Sequence, residues 1–450
     1  LVFAFVLLSA LLISGGAGLM VHLGGALDAL FAAATVPDLV QMHVGDIDLP
    51  ALERWAESQP TVEAYQTTEM ITVDGDALFL GGRERSEKES VMDISFVRQN
   101  DSFDLLLNME NRPYRPDPGK VGLPIYFAER DNLEIGDSVT VKAAGMELEL
   151  TVGSLIRDAQ MNPSIVHSKR FLLHERDYEA LGEAIAEREY LISFRLHDAD
   201  GTEEFIASYQ AAGLPNRGPT VDKSLFRTLN ALSEGIVAAV VLLLSGVLMV
   251  IAILCLRFTI LASIEEEYRE IGVMKAIGMR EPQIRRIYLA KYLAVALLAS
   301  AAGYVLSIPV TEVLSQDVTL YLGNPETGIL GVLIPVLAAG IVSVVVAVSS
   351  VLILRRFRRV SAVAALRCEG SEERASSRGA PRLSRWRAVG VNVALGLRDV
   401  TQRSRLYGLL GLIFFFAAFV IILPVHFHST INAPSFVSYM GIGRSDIRID

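Results

Sequence analysis

The chain has 450 residues, 51% of them hydrophobic, with 41 Lys and Arg against 51 Asp and Glu and a formal net charge of −10. The apolar residues gather into five long charge-free runs, which excludes an ordinary soluble protein, since a helix of ~20 apolar residues crosses the hydrocarbon of a bilayer. Two cysteines, Cys255 and Cys368, lie outside the large polar region, so disulfides do not hold that region together.

The first run is charge-free up to Asp28 and is read as a spanning helix over 1–24. It is too long for a signal-peptide core, and Gly15-Gly16-Ala17-Gly18 leads into further apolar residues. Residue 1 is Leu within an apolar run, and residues 443–450 read like the start of a polar domain. Both ends are therefore expected to be cuts in a longer chain.

Residues 25–230 carry 36 acidic and 19 basic side chains, a net of −17, while the remainder carries 15 and 22, a net of +7. This stretch is expected to fold as a mixed α+β domain. Ala51, Leu52, Trp55, Ala56 and Val62 recur at helical spacing and predict a helix over 49–66. β-rich stretches follow at 70–73, 77–80, 91–97, 138–143 and 146–156. Asp74-Gly75-Asp76 and Ala144-Gly145 are placed as hairpin turns between them. A helix over 174–186, a strand over 190–196 and a helix over 202–212 complete the domain.

The remaining spans are placed at 231–258, 292–311, 327–354 and 406–428. The loop 257–291 holds seven Lys/Arg and the loop 355–405 holds thirteen, whereas the short loop 312–326 holds none. Basic loops mark the cytoplasmic side. Residues 25–230 and 312–326 are therefore expected outside the cell and 259–291 inside, and the alternation closes over all five spans. The basic linker 355–405 lacks interleaved aromatics and sits between spans, so contact with anionic lipid, not nucleic acid, is its expected role. Residues 429–450 are read as the start of a second extracytoplasmic domain. The expected fold class is a polytopic α-helical membrane protein with a large mixed α+β extracytoplasmic domain between the first and second spans, in the plasma (inner) membrane.

No GxxxxGK[ST], HExxH or GxSxG occurs, so no catalytic residue is expected, and the scattered histidines lack ligand spacing. His426 and His428 lie two apart, which separates their side chains on a helix, and no metal is expected there. The charge-free runs of the spans, 235–256 in the second, hold none of the charged residues that proton-coupled carriers need. Ala299, Gly303 and Ser307 lie four apart and would allow close helix packing.

The informative segment is 264–280. Ile264, Tyr268, Ile271, Met274 and Ile277 mark one apolar face of a helix, with Glu265, Glu266, Arg269 and Lys275 largely off it. Gly272 and Gly278 each weaken such a helix by ~1 kcal/mol relative to Ala. That cost has a reason if a partner surface approaches closely or if the chain turns at Gly278. An amphipathic segment between two spans can lie on the membrane or dock on a protein, and the residues alone leave both open.

Glu267-Tyr268-Arg269-Glu270-Ile271-Gly272-Val273-Met274-Lys275-Ala276-Ile277-Gly278-Met279, followed by Gln283-Ile284-Arg285-Arg286, resembles the signature of FtsX-like/MacB-type ABC transporter permeases. Ala365-Leu366-Arg367 is a weaker match, with Ala362 and Ala364 departing from the Pro and Glu frequent there. The resemblance covers 1–367, and 392–425 resembles the beginning of a second copy, so the chain reads as a fragment of a duplicated, two-repeat permease. The resemblance implies that Glu267, Tyr268, Arg269, Glu270, Ile271, Gly272, Met274, Lys275, Ala276 and Gly278 form an ATPase-coupling element. It implies a separate ABC-type ATPase, a dimer that binds ATP and Mg, so that this chain needs no cofactor. It also implies mechanotransmission: closure of the ATPase moves the outer domain, for export or extraction of a lipidic, peptide or amphipathic substrate. The alternative within the family is a non-transporting regulator of cell-wall hydrolases or a sensor of antimicrobial peptides.

Overall fold

Among the described residues, five helices are long and apolar enough to cross a membrane: α1 (Val2–Ala34), α6 (Lys223–Glu266), α8 (Glu281–Leu314), α10 (Leu330–Leu354) and α11 (Ser404–Ile431). The structure, a computed structural model, describes residues 2–82, 86–88, 90, 92–143, 145–163, 166–198, 201–325, 328–355, 396, 400 and 404–431. The Ala365-Leu366-Arg367 match, nearly all of the 355–405 linker and residues 432–450 lie outside the described residues. The chain divides into two compact units, one of residues 1–18, 237–312 and 329–450, the other of 19–236 and 313–328.

In the first unit the helices pack through an apolar core of Val6, Ala10, Ala252, Leu256, Ile260, Ile284, Ala296, Ala299, Val342, Val346 and Leu354. A second cluster joins Leu248, Ile251 and Cys255 of α6 to Ile413, Phe416 and Val420 of α11. The opposite faces stay open: Leu298, Val305, Ile341 and Phe414 are among many exposed apolar residues. A helix apolar on every side is what a lipid surround requires.

The second unit is built on one ten-stranded sheet: β1 (Leu39–Val44), β2 (Val62–Val73), β3 (Leu78–Leu80), β4 (Asp93–Val97), β5 (Lys120–Pro124), β6 (Ser138–Ala143), β7 (Met146–Ile156), β8 (Ser168–Leu173), β9 (Arg188–Leu196) and β10 (Thr220–Asp222). The order is β10-β1-β9-β2-β4-β8-β5-β7-β6-β3, with β4–β8 and β5–β7 parallel and the other pairs antiparallel. Two cores flank it. Helices α2 (Leu49–Ser58) and α5 (Thr202–Ala211) close one, where Trp55 packs against Phe194, Phe205 and Tyr209. Helices α3 (Ile125–Asp131) and α4 (Glu175–Ala184) close the other, around Phe96, Phe127 and Phe171. This is the expected mixed α+β domain.

Several boundaries differ from expectation. The helix expected over 49–66 ends at Ser58, and Val62 already belongs to β2; Pro60, which disfavours a helical residue before it, separates them. Asp74-Gly75-Asp76 does not close a hairpin, because β2 pairs with β4 and β9 while β3 pairs with β6. Gly145, at φ +84°, does lie in the turn of a hairpin, with Ala143 opposite Met146. Helices α1, α6 and α8 outrun their charge-free runs, α1 at its end, α6 at both ends and α8 mostly at its start. Residues 312–326, read as a loop, contain helix α9 (Gln316–Leu322).

Candidate functional site

The segment expected as one helix over 264–280 is an elbow of two. α6 ends at Glu266, Glu267 leaves helical geometry at φ −91°, ψ 15°, and α7 (Tyr268–Ala276) follows at once. Gly278, at φ +93°, then turns the chain back toward α8, a conformation that suits a residue without Cβ. The Gln283 side chain accepts from the Arg280 N–H at 2.9 Å and caps the start of α8.

The inner side of the elbow is well packed. Ile264, Ile271, Ile284, Tyr288 and Tyr292 share the apolar core of the first unit, with Tyr268, Met274 and Met279 partly buried against it. The Tyr288 hydroxyl donates to the Glu267 carboxylate, which ties the break between α6 and α7 to α8. Burying the apolar face in this way satisfies it within the chain.

The outer side carries what remains. Arg269, Glu270, Ala276 and Gly278 are exposed; Glu267, Tyr268, Met274 and Lys275 are half-buried. Ile271 and Gly272 are buried within the chain. Val273, off the expected apolar face, is 44% exposed, and Ile277, on that face and just beyond the end of α7, is 73% exposed. Val273 and Ile277 are four apart, so they share one helix face, with Arg269 and Glu270 beside them. That spacing was legible in the sequence, but the helix end at Ala276 was not.

Ala299, Gly303 and Ser307 are all buried along α8. A Cβ on Gly303 would stand 2.6 Å from the Leu7 carbonyl oxygen and 2.8 Å from Ala10 Cβ, so α8 and α1 meet nearly backbone to backbone there. Ser14 Oγ donates to the Pro335 carbonyl at 2.9 Å, joining α1 to α10. Among the described residues no group of three His, Cys, Asp or Glu could hold a metal ion. The Phe427 and His428 side chains lie outside the described residues.

Residues 242–362 match the FtsX-like permease C-terminal family, a stretch that contains the elbow, α8 and α10. The matched stretch thus takes in three helices long and apolar enough to cross a membrane, α6 in part, α8 and α10, with the elbow joining the first two. The rest of the chain lies outside that match, so the likeness to FtsX-like permeases rests on residues 242–362. Among solved structures it is similar to the periplasmic region of MacB from Actinobacillus actinomycetemcomitans, at 10% identity and a TM-score of 0.27 over 44% of this chain and 94% of that one. It is also similar to a domain of a permease protein from Porphyromonas gingivalis, at 15% identity and a TM-score of 0.22 over 43% of this chain and 84% of that one. No curated protein matches the chain in sequence.

Proposed function

We propose that this chain is the membrane subunit of an ABC transporter in the plasma (inner) membrane, and that the elbow docks on a separate ATPase in the cytoplasm. The observation that carries this reading is the exposed pair Val273 and Ile277, flanked by Arg269 and Glu270, on an elbow whose other face packs against the apolar core. Exposed apolar side chains rimmed by charge on a braced element suit a protein partner. The Lys/Arg excess of 257–291 and 355–405 supports a cytoplasmic elbow and an extracytoplasmic sheet domain. ATP and Mg are held by the partner, a dimer of ATPase subunits, and this chain hydrolyses nothing.

α6 is one uninterrupted helix from Lys223, at the edge of the sheet domain, to Glu266, at the elbow. Closure of the ATPase beneath the elbow is carried along it to the outer domain, which acts on a lipidic, peptide or amphipathic substrate. Glu270→Lys tests the docking face at an exposed position outside the core. Recovery of the ATPase in pull-downs at matched expression is expected to fall roughly tenfold, the loss of ~1.4 kcal/mol. A helix that lies on anionic lipid instead would keep its ATPase recovery and bind the membrane slightly better.

A further inference from the structure

The last four carbonyls of a helix have no partner within it, and in α9 all four are met from the sheet domain. Arg157 Nη2 donates to Thr319 O at 2.8 Å and Nε to Leu320 O at 2.9 Å. Asn162 Nδ2 donates to Tyr321 O at 2.5 Å and Asn111 Nδ2 to Leu322 O at 3.3 Å. The Gly323 N–H adds a second bond to Thr319 O. A Cβ at Gly323 would collide with the Asn111 side chain, so the two backbones are fitted closely.

Arg157 is only 3% exposed. Its Nη1 donates to Met109 O at 2.7 Å and Asn111 Oδ1 at 2.8 Å, so every nitrogen of the guanidinium is engaged. Burial pushes its pKa down to about 10, with the charge of Glu110 opposing, and it stays a cation at neutral pH. The negative end of the α9 dipole faces that charge. Withdrawal of α9 would leave a buried cation with two nitrogens unmet, so the contact resists opening.

The same region receives two other helices. Asn230 of α6 donates to Ala159 O at 2.9 Å, and the Leu105 N–H donates to Ala34 O at the end of α1. Behind them the buried Arg170 bridges Asp104 and Asp158 at 2.7 and 2.6 Å. Asp104 adjoins the α1 contact and Asp158 adjoins Arg157, so one guanidinium braces all three attachments.

We propose that Arg157 is a positioning residue that locks the α8–α10 connection to the sheet domain, making that connection a third drive on the domain beside α1 and α6. This rests on the reading of the chain as an ATP-driven permease. The test uses the full chain with its ATPase in lipid nanodiscs, as wild type, Arg157→Lys and Arg157→Met. Amide exchange over 313–328 without nucleotide reads the lock alone. It is expected to quicken roughly tenfold or more in Arg157→Met and less in Arg157→Lys, which keeps the charge without the fork. Unchanged exchange over 313–328 in both variants would overturn the lock. ATP turnover should then show a lowered kcat at an unchanged KM for ATP, with the ATP-induced change in exchange over 39–222 lost. Retention of that change in a variant whose α9 has loosened would overturn the drive. Absence of any ATP response in wild type would overturn the transporter reading and the drive with it, while the exchange of 313–328 still judges the lock.

Discussion

The two ends of α6 meet the rest of the chain in opposite ways. At the Glu267 end the contacts are mainly apolar: Ile264, Ile271, Ile284 and Met274 pack together beside one hydrogen bond from Tyr288 to Glu267, and Val273 and Ile277 are left open. At the Lys223 end they are polar and buried: Asn230 binds Ala159 O within a region braced by Arg170, Asp104 and Asp158. Apolar surface is non-directional and can bind and release a partner without leaving a donor unmet. Buried hydrogen bonds are directional and costly to break. The elbow is thus suited to a contact that cycles, and the sheet end to one that holds.

The comparison is broken most severely at Arg170. Arg170→Met removes the cation and strands two buried carboxylates, which costs about 3–5 kcal/mol. Thermal unfolding of the purified full chain should show the sheet domain destabilised while the elbow keeps its ATPase affinity. If the sheet domain were unchanged, the polar node would not be holding it.

Gly303→Leu probes the helix packing on the other side of the comparison. The leucine has no room against Leu7 and Ala10, and overpacking of this sort costs roughly 1–3 kcal/mol. Reduced detergent stability with intact sheet-domain exchange is the expected result. Uniform loss across both units would mean that they do not unfold separately.

A smaller effect sharpens the polar end. The Lys169 ammonium donates to the carbonyls of Met161, Pro163 and Val166 at 2.7, 2.8 and 2.7 Å. Burial pushes its pKa down to about 8 from an ordinary 10.5, with Asp158 opposing. Between those values the unfolded chain holds a proton that the folded chain has released, so this group makes stability rise with pH. The slope approaches at most about 1 kcal/mol per pH unit. Lys169→Met should flatten the pH dependence of unfolding between pH 8 and 10, measured against wild type; an unaltered profile would contradict it.

The long apolar helices were legible because length and absence of charge are local properties. Their ends were not: α1 runs on to Ala34 and α6 begins at Lys223, because polar residues continue a helix where nothing breaks it. The strands β6 and β7 were legible from alternation and an Ala-Gly turn, whereas β8 was not. Its Lys169 and Arg170 look like surface charges in sequence, yet both are buried through partners that the fold supplies. The same holds for Arg157, whose partner Leu320 lies 163 residues away. At the elbow the signature residues were legible and their exposures were not, since Ile271 and Gly272 are buried while Val273 and Ile277 are exposed.

Titration of the purified ATPase against this chain in nanodiscs, as wild type and as Ile277→Asp, tests the central claim most directly. The account predicts no ATP hydrolysis by the chain alone, turnover by the ATPase that rises saturably with wild type, and a half-saturating concentration roughly tenfold or more higher for Ile277→Asp, whose charge cannot enter an apolar contact without cost. Hydrolysis by the chain alone, or identical saturation by wild type and variant, would contradict it.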